Sequence, residues 1–161
     1  MNILSKSYLF CSIIFISFAI GCTKEVGPLT DNHPATPIIV TNAIAFRPDP
    51  TIGVSRAGAG TILITLSIPS SSARTIKSIS KVSASTSFTQ VQGAGPFYNS
   101  APIPGNGKSV NFTTTLSEYT SKTGQAVTAV NTELTRRFYF EITLDDNTTI
   151  ITVPVRLLMI D

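Results

Sequence analysis

From residue 38 onward, apolar positions recur at every second residue. In GTILITLSIPS, Ile62, Ile64, Leu66 and Ile68 fall on one face, with Thr61, Leu63, Thr65 and Ser67 on the other. In SVNFTTTLSEY, Val110, Phe112, Thr114 and Leu116 alternate with Asn111, Thr113, Thr115 and Ser117. In ELTRRFYFEITL, Leu134, Phe138, Phe140, Ile142 and Leu144 share a face with Arg136, and Thr135, Arg137, Tyr139, Glu141 and Thr143 share the opposite one. Successive side chains of an extended chain point to opposite faces, so this alternation predicts half-buried strands. Helical spacing is weak and confined to Ile76, Ile79 and Val82; the segment TIKSISKVSAS is rich in serine and β-branched residues and predicts a strand with a bulge.

The predicted strands are 38–47, 60–69, 75–84, 87–92, 109–118, 133–144 and 148–159, with no convincing helix. Asp145-Asp146-Asn147 joins the last two as a hairpin tip. Pro154 has no amide proton to give to a ladder, so its strand lies at an edge or carries a bulge. The expected fold is all-β, about seven strands antiparallel by their connections, in two packed sheets that each bury one face.

The N-terminal pattern differs. MNILSKS carries one basic residue, Lys6, and YLFCSIIFISFAI then runs thirteen residues without charge to Gly21, Cys22 and the polar TKE. Thirteen residues of helix span roughly 20 Å, short of the ~30 Å hydrocarbon core, so the layout predicts a cleaved export signal rather than a spanning helix. Ala19-Ile20-Gly21-Cys22 resembles the lipobox of bacterial lipoproteins, with Ala19 where leucine is most typical. That resemblance implies cleavage before Cys22, lipid on its sulfur and usually an acyl chain on the new amino terminus. Two or three chains anchor stably where one does not. It implies residence in the cell envelope on a membrane held through Cys22, with the outer membrane or cell surface expected over the inner membrane. The expected organisation is a signal peptide at 1–21, a lipidated Cys22 with a flexible tether over 22–37, and a β domain over 38–161. Three prolines in TKEVGPLTDNHPATP suit a tether.

The 38–161 segment resembles immunoglobulin-like or fibronectin-type sandwiches in strand count, size and terminal hairpin, without the Cys–Trp–Cys signature of antibody domains; tryptophan is absent altogether. Small envelope lipoproteins with such domains imply binding or assembly roles, towards a glycan or a partner protein.

Composition narrows the chemistry. The lipobox resemblance would account for both cysteines, Cys11 leaving with the signal and Cys22 blocked by lipid. Charged residues are 13% of the chain, about half the usual share, and the net charge is +3, falling to +2 when Lys6 leaves with the signal. That is too weak and scattered for nucleic-acid binding. The sole histidine, His33, sits in the tether, which removes a histidine-based triad and makes a zinc site improbable. The glycine pairs of RAGAGT and QGAGPF do not match a phosphate-loop fingerprint and read as turns. Asp145, Asp146 and Asn147 lack the further oxygen ligands of a calcium loop. No cofactor or metal is expected, and no catalytic residue is nominated. The expected activity is non-catalytic binding or assembly; the alternative is an envelope enzyme, such as a glycan hydrolase, whose carboxylates the fold would bring together.

Two places could contact a partner. GAGPFYNSAPIPGNGK, residues 93–108, is longer than a hairpin needs and carries Phe97-Tyr98, which could stack on sugar or seat a protein. The competing reading has Phe97 plugging the end of the core. The second place is the outward stripe of Arg137 and Tyr139 with Glu141, which could equally be an ordinary solvent face.

Overall fold

The computed structural model describes residues 34–161 except 47 and 128. Residues Pro34–Asp161 form one compact unit. Its elements run β1 (Ile39–Val40), β2 (Thr51–Val54), β3 (Thr61–Ser67), β4 (Ile76–Ser85), α1 (Thr89–Gln92), β5 (Ile103–Pro104), β6 (Ser109–Thr115), α2 (Leu116–Thr123), β7 (Arg137–Leu144), β8 (Thr149–Ile151) and β9 (Arg156–Met159). The protein is mostly strand, and three ladders order them β1-β3-β6, β5-β4-β7-β8 and β2-β9.

Alternation does what the sequence predicts. Ile62, Ile64 and Leu66 of β3 are fully buried, while Leu63 on the other face is 41% exposed. Phe138, Phe140 and Ile142 of β7 are likewise fully buried. Removing each such side chain from water contributes ~1.5–3 kcal/mol, which is what holds strands of this length together. The two larger sheets meet through aromatics: the Phe112 ring of β6 lies 5.1 Å from Phe138 and 5.4 Å from Phe140. The bulge expected in the 75–84 strand is present as register shifts at Ile76/Ser78 and Ile79/Lys81 of β4.

Four expectations are corrected. The segment 87–92 is not a strand: 89–92 form the single turn α1, which lies against β4 and β7 and buries Val91. The 109–118 strand stops at Thr115, where a helix takes over, so the chain is not free of helix. Strand β2 falls in a stretch left unassigned, and it pairs in parallel with β9, so not every pairing is antiparallel. Finally, Thr36 is buried, so the end of the expected tether packs on the domain.

Pro154 sits at a bulge. Thr152 N–H donates to Phe140 O (3.0 Å), and Val155 exchanges backbone bonds with Phe138. Tyr139 is therefore opposed by two residues, Val153 and Pro154. Beyond the bulge the chain leaves β7 and continues as β9 beside β2.

Candidate functional site

Helix α2 is built by local rules. Thr115 caps it, its side-chain oxygen accepting from Glu118 N–H at 3.1 Å. Gly124, at φ 68, ends it in the left-handed conformation that glycine adopts without a Cβ penalty. Tyr119 points inward, fully buried, with its ring 5.9 Å from Phe138 and its hydroxyl donating to Arg136 O at 2.9 Å. Its flank presents Glu118 and Lys122, one turn apart and 2.8 Å from each other.

The long loop closes against that flank. Tyr98 is 7% exposed, with its ring 5.2 Å from Phe138 and 5.7 Å from Phe112. Its hydroxyl lies 2.8 Å from Thr114 Oγ1, which lies 2.8 Å from Glu118 Oε2. A carboxylate only accepts, so Thr114 donates to Glu118, and Tyr98 donates to Thr114. Lys122 completes the ring: its Nζ donates to Tyr98 O and stands 4.4 Å from the Tyr98 ring centre. The hydrogen bonds of Lys122 and Thr114 hold the Glu118 carboxyl below its ordinary pKa. Burial pushes the Tyr98 phenol up to about 12, against the opposing effect of the Thr114 bond. Near neutral pH neither group is poised to exchange a proton. The arrangement is a clasp that fixes the loop.

Two clefts open beside the clasp. One, of about 210 Å³, lies between Gln90, Pro96 and Phe97 on the loop side and Lys122 and Thr123 on the helix. The other, of about 380 Å³, separates Ser100 to Pro104 from Phe112 and Thr113 of β6. A wider, open recess of about 620 Å³ lies between Gly58, Gly60 and the far side of α2, lined by Leu116, Thr120 and Val127.

No family model matches this chain, and no curated protein and no solved structure matches it.

Cys22 and the expected signal over 1–21 lie outside the described residues, as does His33. Phe97 and Tyr98 exchange their expected parts. Tyr98 is the plug, not an exposed contact, because its ring fills the end of the core and its hydroxyl finds Thr114. Phe97 stays half-buried, with the Lys81 ammonium 5.4 Å from its ring centre. The outward stripe on β7 is not an open surface. Tyr139 is 5% exposed and lies outside the main core cluster, on a strand that α1 packs against. Arg137 pairs with Asp49 at 3.5 Å and Glu133 at 3.8 Å, and Glu141 pairs with Lys81 at 3.0 Å. Glu133 also holds Arg156. Asp145 and Asp146 form the hairpin tip, and both pair with Arg74. Among the described residues, no group of three His, Cys, Asp or Glu could hold a metal.

Thr114, Glu118 and Lys122 were missed by sequence reasoning. A signal existed: Thr115-Leu116-Ser117-Glu118 is the S/T-x-x-E pattern of a capping box, followed six residues later by Gly124. The alternation through Leu116 masked it.

Proposed function

We propose that this chain is a lipid-anchored protein of the bacterial envelope, acting as a non-catalytic binding or assembly module for a glycan or a partner protein. The observation that carries the anchor is Gly21-Cys22 at the end of the charge-free run, directly before TKE. An immunoglobulin-like reading of the domain is supported by strand order: β1-β3-β6 corresponds to strands A, B and E of that fold, and β4-β7-β8 to C, F and G.

The loop of residues 93–108 supports binding over catalysis. Tyr98 and Lys122 hold it in place before any ligand arrives, so ordering it costs little on association. Phe97, Pro96 and Ser100 to Pro104 remain at the rims of the two clefts. The carboxylates Asp49, Glu118, Glu133, Glu141, Asp145 and Asp146 are each matched to a cation, which favours structural roles over a hydrolytic pair.

The test has two parts. In a bacterial host fed labelled fatty acid, the wild-type chain takes the label and Cys22→Ser accumulates as unlabelled precursor; an unlabelled wild-type chain refutes the anchor. On a glycan array and in a pull-down from solubilised envelope, the wild-type chain captures a ligand that Phe97→Ala captures more weakly. Equal capture removes Phe97 and the cleft it lines from the site.

A further inference from the structure

We infer that the free edge of β6 is a strand-addition site that takes an uncharged extended segment of a partner protein, laid in the cleft between β6 and residues 100–104. This deepens the binding-module reading by naming the ligand class, and it rests on that reading.

The hydrogen-bond parity of β6 carries the inference. Ile68 N–H donates to Lys108 O at 2.9 Å, and Leu116 N–H donates to Gly60 O at 2.9 Å. With the antiparallel register Ile64↔Phe112, the even-numbered residues of β6 therefore bond to β3. The odd-numbered ones turn their N–H and C=O groups the other way. Ser109 spends its pair on Asn106. The backbone groups of Asn111 and Thr113 turn to the side of β6 away from β3, where Thr113 lines the cleft, and β6 has no other ladder partner among the described residues. Both residues are exposed.

The opposite wall of the cleft offers β6 no backbone donor. Gly105 N–H donates to Lys77 O at 2.9 Å, and Ile103 pairs with Ile79, so the odd-numbered residues of that wall bond to β4. The residues turned away from β4 are Pro102 and Pro104, which have no N–H. Prolines blunt the β5 edge, as protective edges usually are blunted. Among the described residues, β6 carries no proline and no charged side chain between Val110 and Thr115.

The ligand follows from this chemistry. Asn111 and Thr113 each offer one donor and one acceptor at strand spacing, and another extended backbone matches both. Its inward side chains would meet Phe112, and its outward ones would lie beside Asn111 and Thr113. Glu118 and Lys122, the charged groups lining the cleft, are 2.8 Å apart and neutralise each other. Charge complementarity therefore selects an uncharged segment. A second copy of this domain suits the cleft less well than a bare strand, because it would bring its own wall of residues 100–104 to the same edge.

The probe is an N-acetylated, C-amidated heptapeptide of alternating valine and threonine, added to the full chain in detergent micelles. In the free chain, the Asn111 and Thr113 amides exchange with deuterium faster than those of Phe112 and Thr114. The peptide binds and slows both. Thr113→Pro, which removes an outward N–H and fixes φ at an edge position, weakens binding about tenfold while the domain still melts cooperatively, whereas Thr113→Val, which keeps the N–H, binds as wild type. Asn111→Pro repeats the test should Thr113→Pro fold poorly. Lysine in place of the central valine of the peptide also weakens binding. The inference is overturned if the two amides are already protected in the free chain, if no peptide binding is found, or if Thr113→Pro binds normally. It is also overturned if the chain pairs with itself through this edge, seen as a dimer that Thr113→Pro dissolves. Loss of the fatty-acid label would sink the anchor while leaving all these readouts intact.

Discussion

Truncating Tyr98 tests whether the loop is held by a plug or presented as a free surface. The ring is 7% exposed and meets Phe112 and Phe138 edge-on. Replacing a buried aromatic by alanine costs ~3–5 kcal/mol, from lost transfer energy and the void left behind. The polar remainder adds little, because Thr114 still donates to Glu118 and Lys122 keeps its carboxylate. Tyr98→Ala should therefore cost ~3–4 kcal/mol. Tyr98→Phe keeps the ring and loses one buried neutral hydrogen bond, which puts it at ~0.5–1.5 kcal/mol. Phe97→Ala loses a half-buried ring and one exposed cation–π contact, worth ~0.5–1 kcal/mol on its own, and should cost less than half of Tyr98→Ala. Urea midpoints at constant slope measure all three, and melting temperatures should fall by roughly 3–5 °C per kcal/mol. A cost below ~1 kcal/mol for Tyr98→Ala, or a larger cost for Phe97→Ala, would refute the plug assignment.

Other outcomes follow from the same geometry. Gly105→Ala should detach β5 from β4, because its Cβ would stand 2.1 Å from Ile76 O; a large drop in urea midpoint and faster exchange of the Gly105 amide are the readouts. Phe140→Ala, at a fully buried position, should cost ~3–5 kcal/mol by the same measurement. Burial pushes Tyr98 and Tyr119 up to about 12 from 10.0, so the folded state favours their protonated forms. That contribution is complete below pH 10 and lost as pH rises through about 12; Tyr98→Phe and Tyr119→Phe should each delete one ionisation from the late phenolate absorbance step. The Glu118 pKa is lowered from 4.5, so its contribution is present above pH 4.5 and lost as pH falls through the folded value. Its carboxylate is 44% exposed, so Glu118→Gln should flatten the acid limb of stability only slightly.

The strands were legible wherever one face is buried and the other wet. In β3 and β6, the burial pattern repeats the apolar alternation residue by residue, because a one-residue slip would turn Ile62, Ile64 and Leu66 outward. Strand β2 was illegible because TIGV is four residues long and buried at three of them, which leaves no polar face to alternate with. Its parallel partner β9 is set by the bulge at Pro154, and that proline was visible in sequence although the change of partner was not. At Leu116 the two periodicities conflict: alternation carries the strand forward, while Thr115 and Glu118 start a helix. The cap wins because strand pairing to β3 runs out at Thr61, where the chain turns at Gly60, and beyond that point a helix satisfies its own backbone.

The pair Phe97-Tyr98 shows why the site was only half readable. Adjacent aromatics on an extended backbone point to opposite sides, so at most one could enter the core. Hydrophobicity alone favours phenylalanine for the buried place. The outcome is the reverse, because the backbone is pinned: Tyr98 N–H donates to Val82 O at 2.7 Å, and the Tyr98 side chain lies between the sheets. A buried phenol costs free energy unless its hydroxyl is bonded, and β6 places Thr114 at hydrogen-bond distance. Thr114 is itself 4% exposed, and its own donor is taken by Glu118. Three residues from three elements thus decide which of two neighbours is the plug. No local pattern contains that information, since Tyr98, Thr114 and Glu118 are distant in sequence and meet only in the folded arrangement of the loop, β6 and α2.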